Sequence, residues 1–140
     1  MKRLHVSVTV TDLEASLRFY ENLFGAPPDV RKPDYAKWML DDPCVNFAID
    51  AQGESPGVDH LGIQVSDEAE LESIAGRLAG AAGVARQDDA TCCYARSDKA
   101  WVWDPQGVPW ETFRTHGEST VYGEDVRVER PDEDGDDCCG

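Results

Sequence analysis

Two stretches of the chain alternate apolar and polar side chains, and each stretch begins with a histidine. The apolar positions are Val6, Val8 and Val10 after His5, and Leu61, Ile63 and Val65 after His60. Because successive side chains point to opposite faces of a strand, the pattern predicts two strands that each have one apolar face. His5 and His60 then project from the opposite face of their strands.

Each of these strands leads into a predicted amphipathic helix. An aspartate lies seven residues after each histidine, and Asp12 and Asp67 are both suited to capping a helix N-terminus. The first helix is expected to end at Gly25, and the second to run to about Ala82, before Gly83. Apolar residues recur at helical spacing at Leu13, Leu17, Tyr20, Leu23 and Phe24 in the first helix and at Leu71, Ile74 and Leu78 in the second.

Shorter strands are expected after both helices. They lie near Ala36–Leu40 and Val45–Ile49 in the first half, and near Val84–Gln87, Cys92–Ser97, Ala100–Trp103 and Trp110–Thr115 in the second. Turns are marked by Asp42-Pro43 and by residues 104–107. The sequence therefore predicts an α+β domain of two β-α-β-β-β modules, at about residues 1–55 and 56–117. A ferredoxin-like β-α-β-β repeat is the alternative architecture.

This repeat resembles the vicinal oxygen chelate fold of glyoxalases, fosfomycin-resistance proteins and extradiol dioxygenases. The resemblance implies two modules that form a cup around one divalent metal, with ligands from the first strand of each module and the last strand of a module. His5 and His60 fill the first two places, and Glu111 fills the third. Residues 45–49, the corresponding stretch of the first half, contain no carboxylate, so we expect one metal site.

The ligand set indicates the kind of metal but does not select one. Two neutral imidazoles and one carboxylate form a facial triad with open positions, which is typical of non-haem iron(II) that activates dioxygen. Zinc, manganese, nickel or cobalt fit the same ligands. Taken singly, each histidine is also consistent with a surface or hydrogen-bonded residue, and Glu111 with a strand-edge charge. His116 lies outside the pattern and is interpreted as a surface residue near the end of the domain.

The charge of the chain argues against several classes of partner. With 28 acidic and 13 basic residues among 140, the formal net charge is −15, which disfavours nucleic acid and anionic membrane surfaces. No apolar run approaches the roughly 20 residues of a membrane-spanning helix, and the first residues enter a strand pattern with no signal peptide. Five cysteines, including two adjacent pairs, do not resemble a secreted disulfide framework. We therefore expect a cytoplasmic protein with free thiols.

The end of the chain differs in composition from the rest. Residues 117–140 contain nine acidic and two basic residues and have little apolar surface to bury. Such a segment is expected to be disordered, so the sequence predicts a domain over residues 1–117 and an acidic tail over 118–140. The tail ends in Cys138-Cys139, which either delivers thiols to the site or is passive.

A second adjacent pair of cysteines lies within the predicted domain. Cys92 and Cys93 would reach disulfide geometry only with strain, whereas two thiolates on one short segment are well placed to bind one soft atom. The pair is therefore a candidate substrate clamp. The simpler interpretation is two small strand residues, one facing in and one facing out. A clamp requires the segment to leave regular strand geometry. Cys44, beside the predicted Asp42-Pro43 turn, is interpreted as structural.

Five short segments carry a more specific resemblance. They are residues 33–38 (PDYAKW), 59–62 (DHLG), 91–102 (TCCYARSDKAWV), 104–107 (DPQG) and 110–111 (WE). On these segments the chain resembles the ArsI/CadI family, whose characterised arsenic members are C–As lyases. The resemblance covers residues 1 to about 116, and the cysteine segment is its most specific part. Some members of the family have glutamine in place of His5.

This resemblance implies an iron(II)- and O2-dependent enzyme that cleaves the carbon–arsenic bond of trivalent organoarsenicals, such as methylarsonous acid, and releases arsenite. The implied roles are iron binding by His5, His60 and Glu111 and arsenic binding by Cys92 and Cys93. Tyr94, Trp101, Trp103 and Trp110 either wall the cup or belong to the core, and Lys99 and Arg96 either lower the thiol pKa or are surface charges of a loop. A monomer and a homodimer are both compatible with the sequence.

Two other functions compete with a C–As lyase. A non-catalytic cadmium- or arsenite-binding resistance protein would use the same cysteine segment, and an acidic tail with terminal thiols suits it. A thiol transferase or isomerase of the glyoxalase or fosfomycin-resistance type usually presents a carboxylate on the first-module strand or a cation-rich pocket. The sequence shows neither feature clearly.

Overall fold

The computed structural model describes residues 1–80, 85–92 and 95–118. Within them the chain forms β1 (Arg3–Thr9), α1 (Leu13–Phe24), β2 (Val30–Lys32), β3 (Tyr35–Asp41), β4 (Cys44–Asp50), β5 (Gly57–Gln64), α2 (Glu68–Arg77), β6 (Ala85–Cys92), β7 (Ala95–Trp103) and β8 (Pro109–Glu118). The predictions for Gly83, Cys93, Tyr94, the acidic tail and Cys138-Cys139 lie outside the described residues.

The strands form one mixed sheet in the order β2-β3-β4-β1-β5-β8-β7-β6. Within each half, the first strand pairs in parallel with the last, β1 with β4 and β5 with β8. The two halves join at the centre of the sheet through antiparallel pairing of β1 with β5. The predicted pair of β-α-β-β-β modules is therefore confirmed, and the two histidine-bearing strands are neighbours.

An aromatic core lies between α1 and the sheet of the first module. Asp12 caps the helix by accepting a hydrogen bond from the Ala15 backbone N–H (3.0 Å), and Gly25 ends it at a φ of 69°, where glycine is favoured. The buried cluster comprises Leu17, Ala36, Trp38, Val45, Phe47 and Ile49, with Val6, Val8 and Val10 packed against it. Val6, Val8 and Val10 thus share one apolar face, as predicted, and His5 lies on the other face.

Several strand boundaries differ from the predictions. The short strand β2 is not predicted, because three residues, two of them charged, give no alternating signal. The separate strands expected at Cys92–Ser97 and Ala100–Trp103 are wrong, since Ala95–Trp103 is one strand and Cys92 ends the strand before it. The polar residues 97–99 suggest a turn, but each of them pairs with β8.

Helix α2 ends at Arg77, and the prediction of a helix to about Ala82 is wrong. The Leu78 N–H already bonds to the carbonyls of both Ile74 (3.1 Å) and Ala75 (3.2 Å), the tighter pattern of a final helical turn. Glycines at positions 76 and 80 weaken helix propagation by roughly 1 kcal/mol each relative to alanine. Among the described residues, no helix is long and apolar enough to cross a membrane.

Candidate metal centre

A cavity opens on the face of the sheet that points away from α1. We call it the cup. Residues of both modules line it, among them His5, Ser7 and Ala48 from the first and His60, Lys99 and Glu111 from the second. Because the modules share one sheet, their facing strands place polar side chains from distant parts of the sequence in a single enclosure.

The three predicted ligand residues converge within the cup. The Nε2 atom of His5 lies 3.1 Å from Nε2 of His60, and the latter lies 3.3 Å from Oε2 of Glu111. One ligand atom from each of the three residues falls within 4.8 Å of the others. All three residues are buried, with 6–7% of their surface exposed. The sequence pattern thus identifies three groups that the fold brings to one point.

Gly62 makes room for this convergence. Across adjacent strands it pairs with His5 on one side and with Glu111 on the other. A Cβ atom at this position would overlap the backbone oxygen of Glu111. The bare backbone of Gly62 therefore lets β5 and β8 approach closely and leaves space between two of the ligand side chains.

The internal repeat explains why the chain forms one group of metal-binding side chains and not two. Gly62 lies two residues after His60, and Ser7 lies two residues after His5. Gly62 pairs with Glu111 on β8, whereas Ser7 pairs with Ala48 on β4. Position 48 is thus the counterpart of position 111 but offers only a methyl group. Among the described residues, the His5, His60 and Glu111 group is accordingly the one cluster suited to a metal.

Asn46 fixes the ring of His5. The Nδ1 atom of His5 lies 3.1 Å from the backbone oxygen of Asn46 and 3.3 Å from its side-chain oxygen. The Asn46 amide nitrogen donates in turn to Gln64 Oε1 (3.1 Å), which orients the amide. Since both neighbours of Nδ1 are acceptors, Nδ1 carries the proton, and Nε2 presents its lone pair to the centre of the cup.

A β-bulge supplies the matching partner for His60. In the β1–β5 ladder, Ser7 pairs with His60 and Val8 with Val58, so Asp59 has no counterpart. Such an extra residue redirects its side chain. The carboxylate of Asp59 accepts a hydrogen bond from Nδ1 of His60 at 2.8 Å. Carboxylate partners of this kind hold metal-binding histidines in one tautomer and orientation.

The surroundings shift the pKa values of the three groups in different directions. Burial lowers the pKa of His5 to about 4. Burial also opposes the charged form of His60, but its hydrogen bonds with Asp59 and Glu111 outweigh this and raise the pKa of His60 to about 9. Burial alone would raise the pKa of Glu111, whereas the hydrogen bond with His60 and the charge of Lys99 lower it to about 2.

These properties fit a divalent transition metal. Two imidazole nitrogens and one carboxylate oxygen are donors that such ions accept, and all three converge in a buried place. Both Nδ1 atoms are engaged elsewhere, so the converging Nε2 atoms are the ones available. Near neutral pH, His5 is neutral and Glu111 is ionised, and a metal ion would take the place of the His60 proton.

Of the other charged residues that the sequence singles out, one lines the cup and two are exposed. Lys99 is not a surface charge of a loop: it lies in β7, is 2% exposed and lines the cup. Arg96 is exposed and pairs with Asp89 (2.6 Å). His116 is exposed, as predicted, and contacts Asp98.

The structure also places several of the aromatic residues and cysteines that the sequence singles out. Trp101 is buried and packs edge-on against the His60 ring, with a centroid separation of 5.0 Å. Phe113, which the sequence reasoning does not single out, packs similarly against His5. The half-buried Cys44 donates to the Lys2 carbonyl, consistent with a structural role. The backbone of Cys92 ends β6 and pairs with Ala95, a residue that lines the cup.

Comparison with known sequences places the chain among related proteins. The Glyoxalase/Bleomycin resistance protein/Dioxygenase superfamily pattern matches residues 2–112. The chain is 40% identical over 146 residues to a trivalent organoarsenical cleaving enzyme of Bacillus sp. (strain MD1), covering 99% of this chain and 91% of that protein. It is 34% identical over 129 residues to the cadmium-induced protein CadI of Mycobacterium tuberculosis (strain ATCC 25618 / H37Rv), covering 91% and 85%.

Solved structures show the same fold at low sequence identity. The Mn(II)-bound glyoxalase from Novosphingobium aromaticivorans superposes with a TM-score of 0.61 at 15% identity, covering 91% of this chain and 44% of that one. A homoprotocatechuate 2,3-dioxygenase from Brevibacterium fuscum gives a TM-score of 0.61 at 19% identity, covering 86% and 38%. These likenesses support the predicted vicinal oxygen chelate architecture.

Proposed function

The chain belongs to the Glyoxalase/Bleomycin resistance protein/Dioxygenase superfamily, within it to the group of the organoarsenical cleaving enzymes and CadI, and we propose that it cleaves the carbon–arsenic bond of trivalent organoarsenicals and releases arsenite. It is an enzyme of this superfamily. The observation that carries the proposal is the buried convergence of His5, His60 and Glu111 in the cup. The 40% identity to an enzyme of the proposed activity supports the choice of substrate.

The proposed cofactor is iron(II), held by His5, His60 and Glu111. When bound, iron(II) would supply the activation of O2 that oxidative bond cleavage requires. The chain's own residues prepare the place. Asn46 and Asp59 keep both Nε2 atoms free for a metal, and the enclosing rings of Trp101 and Phe113 limit the water around the two histidines. Exclusion of water protects reactive species and strengthens the local electrostatics.

The proposed arsenic ligands are Cys92 and Cys93. A trivalent arsenic that bears one carbon has two exchangeable oxygen positions, and two thiols replace both while the carbon stays attached. Inorganic arsenite has three exchangeable positions, so two thiols satisfy it less completely and the product is expected to leave more readily. The position of Ala95 supports this assignment, because it lines the cup and pairs with Cys92. Binding by two thiols of the chain itself would make the reaction effectively intramolecular.

Arsenic speciation tests the proposal. Protein loaded with iron(II) without air is mixed with methylarsonous acid, and arsenite is measured before and after O2 is admitted. We expect arsenite only with iron and O2 together, and no arsenite from the Cys92→Ser/Cys93→Ser double variant. Cys44→Ser, which alters a cysteine assigned a structural role, is the matched control and should resemble the parent protein. Equal binding of methylarsonous acid by the double variant and the parent would refute the thiol clamp.

The alternative function is sequestration of cadmium or arsenite without turnover. The relationship to CadI favours it, because that protein is named for its induction by cadmium. The same experiment separates the two functions. Stoichiometric binding of metal or arsenical, with no arsenite release in the presence of iron(II) and O2, would support sequestration and overturn the lyase. Repeated release of arsenite beyond one equivalent of protein would exclude sequestration as the main role.

A further inference from the structure

The two oxygens of Glu111 face different partners. Oε2 lies 3.3 Å from Nε2 of His60, where the ligand atoms converge, whereas Oε1 lies 3.7 Å from Nζ of Lys99. From this geometry we propose that Lys99 is a positioning residue that keeps Glu111 a one-oxygen metal ligand and so preserves an open position on the metal. The proposal deepens the proposed function and rests on its metal site.

The burial of Lys99 calls for a specific role. Its side chain is 3% exposed and that of Glu111 is 8% exposed. Taking an ammonium group out of water costs several kcal/mol unless an opposite charge and hydrogen bonds offset it. Strand β7 directs Lys99 into the cup, where its Nζ lies 5.9 Å from the centre of the Trp101 ring, a favourable contact for a cation. The fold thus holds this ammonium group beside a proposed metal ligand.

Charge balance alone gives a poor account of this lysine. A divalent cation would already neutralise Glu111, and a neighbouring ammonium group would repel that cation. A role directed at the second carboxylate oxygen accounts for the lysine despite this repulsion. A carboxylate can bind a metal through one oxygen or through both. If Lys99 retains Oε1, only Oε2 is left for the metal, and the three protein ligands occupy three positions, as a facial triad requires.

The two explanations predict different behaviour when the ammonium group is removed. In Lys99→Met, loss of charge alone would strengthen metal binding and leave the number of ligands unchanged. Loss of positioning would let both oxygens of Glu111 bind, which fills one of the open positions. Lys99→Arg keeps a cationic donor at the same place and should restore the behaviour of the parent protein. Lys99→Leu, which also lacks a donor, serves as a second variant if methionine impairs folding.

The test uses two metals and does not depend on turnover. Cobalt(II) absorption intensity reports the coordination number, and nitric oxide, added to iron(II) protein without air, reports an open position through its electron paramagnetic resonance signal. We expect the parent and Lys99→Arg to bind nitric oxide alike. In Lys99→Met, or in Lys99→Leu if methionine impairs folding, we expect the affinity for nitric oxide to fall by at least about tenfold and the cobalt(II) absorption to weaken.

Two results would overturn the proposal, and they differ in what else they affect. If the parent and Lys99→Met gave the same cobalt spectrum and the same nitric oxide affinity, the role of Lys99 would be refuted while the metal site stood. If the parent bound neither metal, both the metal site and the role of Lys99 would be refuted. Circular dichroism and the unfolding midpoint verify that each variant compared is folded.

Discussion

Ala48 and Glu111 occupy corresponding places in the two modules, and they contribute very different chemistry. Each pairs, across a parallel ladder, with the residue two positions after a histidine. The first module has a methyl group at this place and a core rich in aromatic rings under its helix. The second has a buried carboxylate that lies beside a buried lysine. One fold thus places an aromatic core under the helix of one copy and a buried carboxylate in the cup of the other.

The comparison also shows how the centre depends on both copies. The second module contributes Glu111, His60 and the bulged Asp59, but the third ligand and its orienting amide, His5 and Asn46, come from the first. The core of the first module packs against β1, which also carries His5, so loss of packing there would act through the stability of the whole fold. Substitutions at the centre would act locally. The following predictions separate these two kinds of effect.

The largest effect on stability is expected from Trp38→Ala. The side chain is fully buried in the aromatic core, and its Nε1 donates to the Ala26 carbonyl at 3.0 Å. Truncation of a buried tryptophan costs about 3–5 kcal/mol of the free energy of unfolding. Urea titration should show this loss, whereas the metal affinity of the remaining folded protein should stay unchanged. A stability loss below about 1 kcal/mol would contradict the assignment of this core.

Gly62→Ala should affect stability and the centre together. The new methyl group would overlap the backbone of Glu111, so β5 and β8 must separate, at a cost of roughly 1–3 kcal/mol. Gly76→Ala is the matched control, because its methyl group meets nothing within 4 Å and it lies inside α2. That variant should be stabilised by up to about 1 kcal/mol. Equal unfolding midpoints for the two variants would disprove the close approach at Gly62.

Asp59→Asn should weaken metal binding. The carboxylate of Asp59 orients His60 and makes its Nε2 a stronger ligand, and the substitution removes that charge. Loss of such a partner typically lowers metal affinity by about 10–100-fold. Calorimetric titration with cobalt(II) measures the effect, and Asp88→Asn, which alters an exposed carboxylate on β6, is the control. If both variants bound cobalt(II) equally well, the bulge would have no role in the centre.

Metal affinity should also depend on pH in a defined direction. Between about pH 5 and 8, His60 is protonated, because the pKa of His60 is raised to about 9, whereas a pKa of about 4 keeps His5 neutral. A metal must displace one proton, so affinity should rise about tenfold for each pH unit and level off above pH 9. Cobalt(II) titrations from pH 5.5 to 8 measure this slope. A flat profile would show that His60 is not protonated in the metal-free protein.

Much of the fold follows from repeated local signals. The alternation after His5 and His60, and the capping residues Asp12 and Asp67, place the first strand and helix of each module. Less regular segments escape this reasoning. The polar sequence of β6, interrupted by an irregular register after Gln87, gives no clear period. The interior of β7, with Ser97, Asp98 and Lys99, suggests a turn but is continuous strand.

The candidate ligands are predictable for the same reason as the fold, since the repeat itself aligns His5 with His60. Their supporting residues are not. Asn46 becomes relevant only because β1 pairs with β4, and Asp59 only because a bulge turns its carboxylate toward the adjacent ring. Lys99 has the composition of a surface residue and reveals its place only through burial. Long-range pairing, which no local pattern encodes, decides all three.

The most direct test of the account is a titration of iron(II) into the metal-free protein, with arsenite release from methylarsonous acid measured in air. The account predicts that the rate rises linearly and reaches a plateau at one equivalent of iron(II), and that Glu111→Gln shows no such rise. The exposed counterpart Glu54→Gln should follow the parent protein. Arsenite release that is independent of added iron(II), or equal in Glu111→Gln and the parent, would contradict the assignment of the centre.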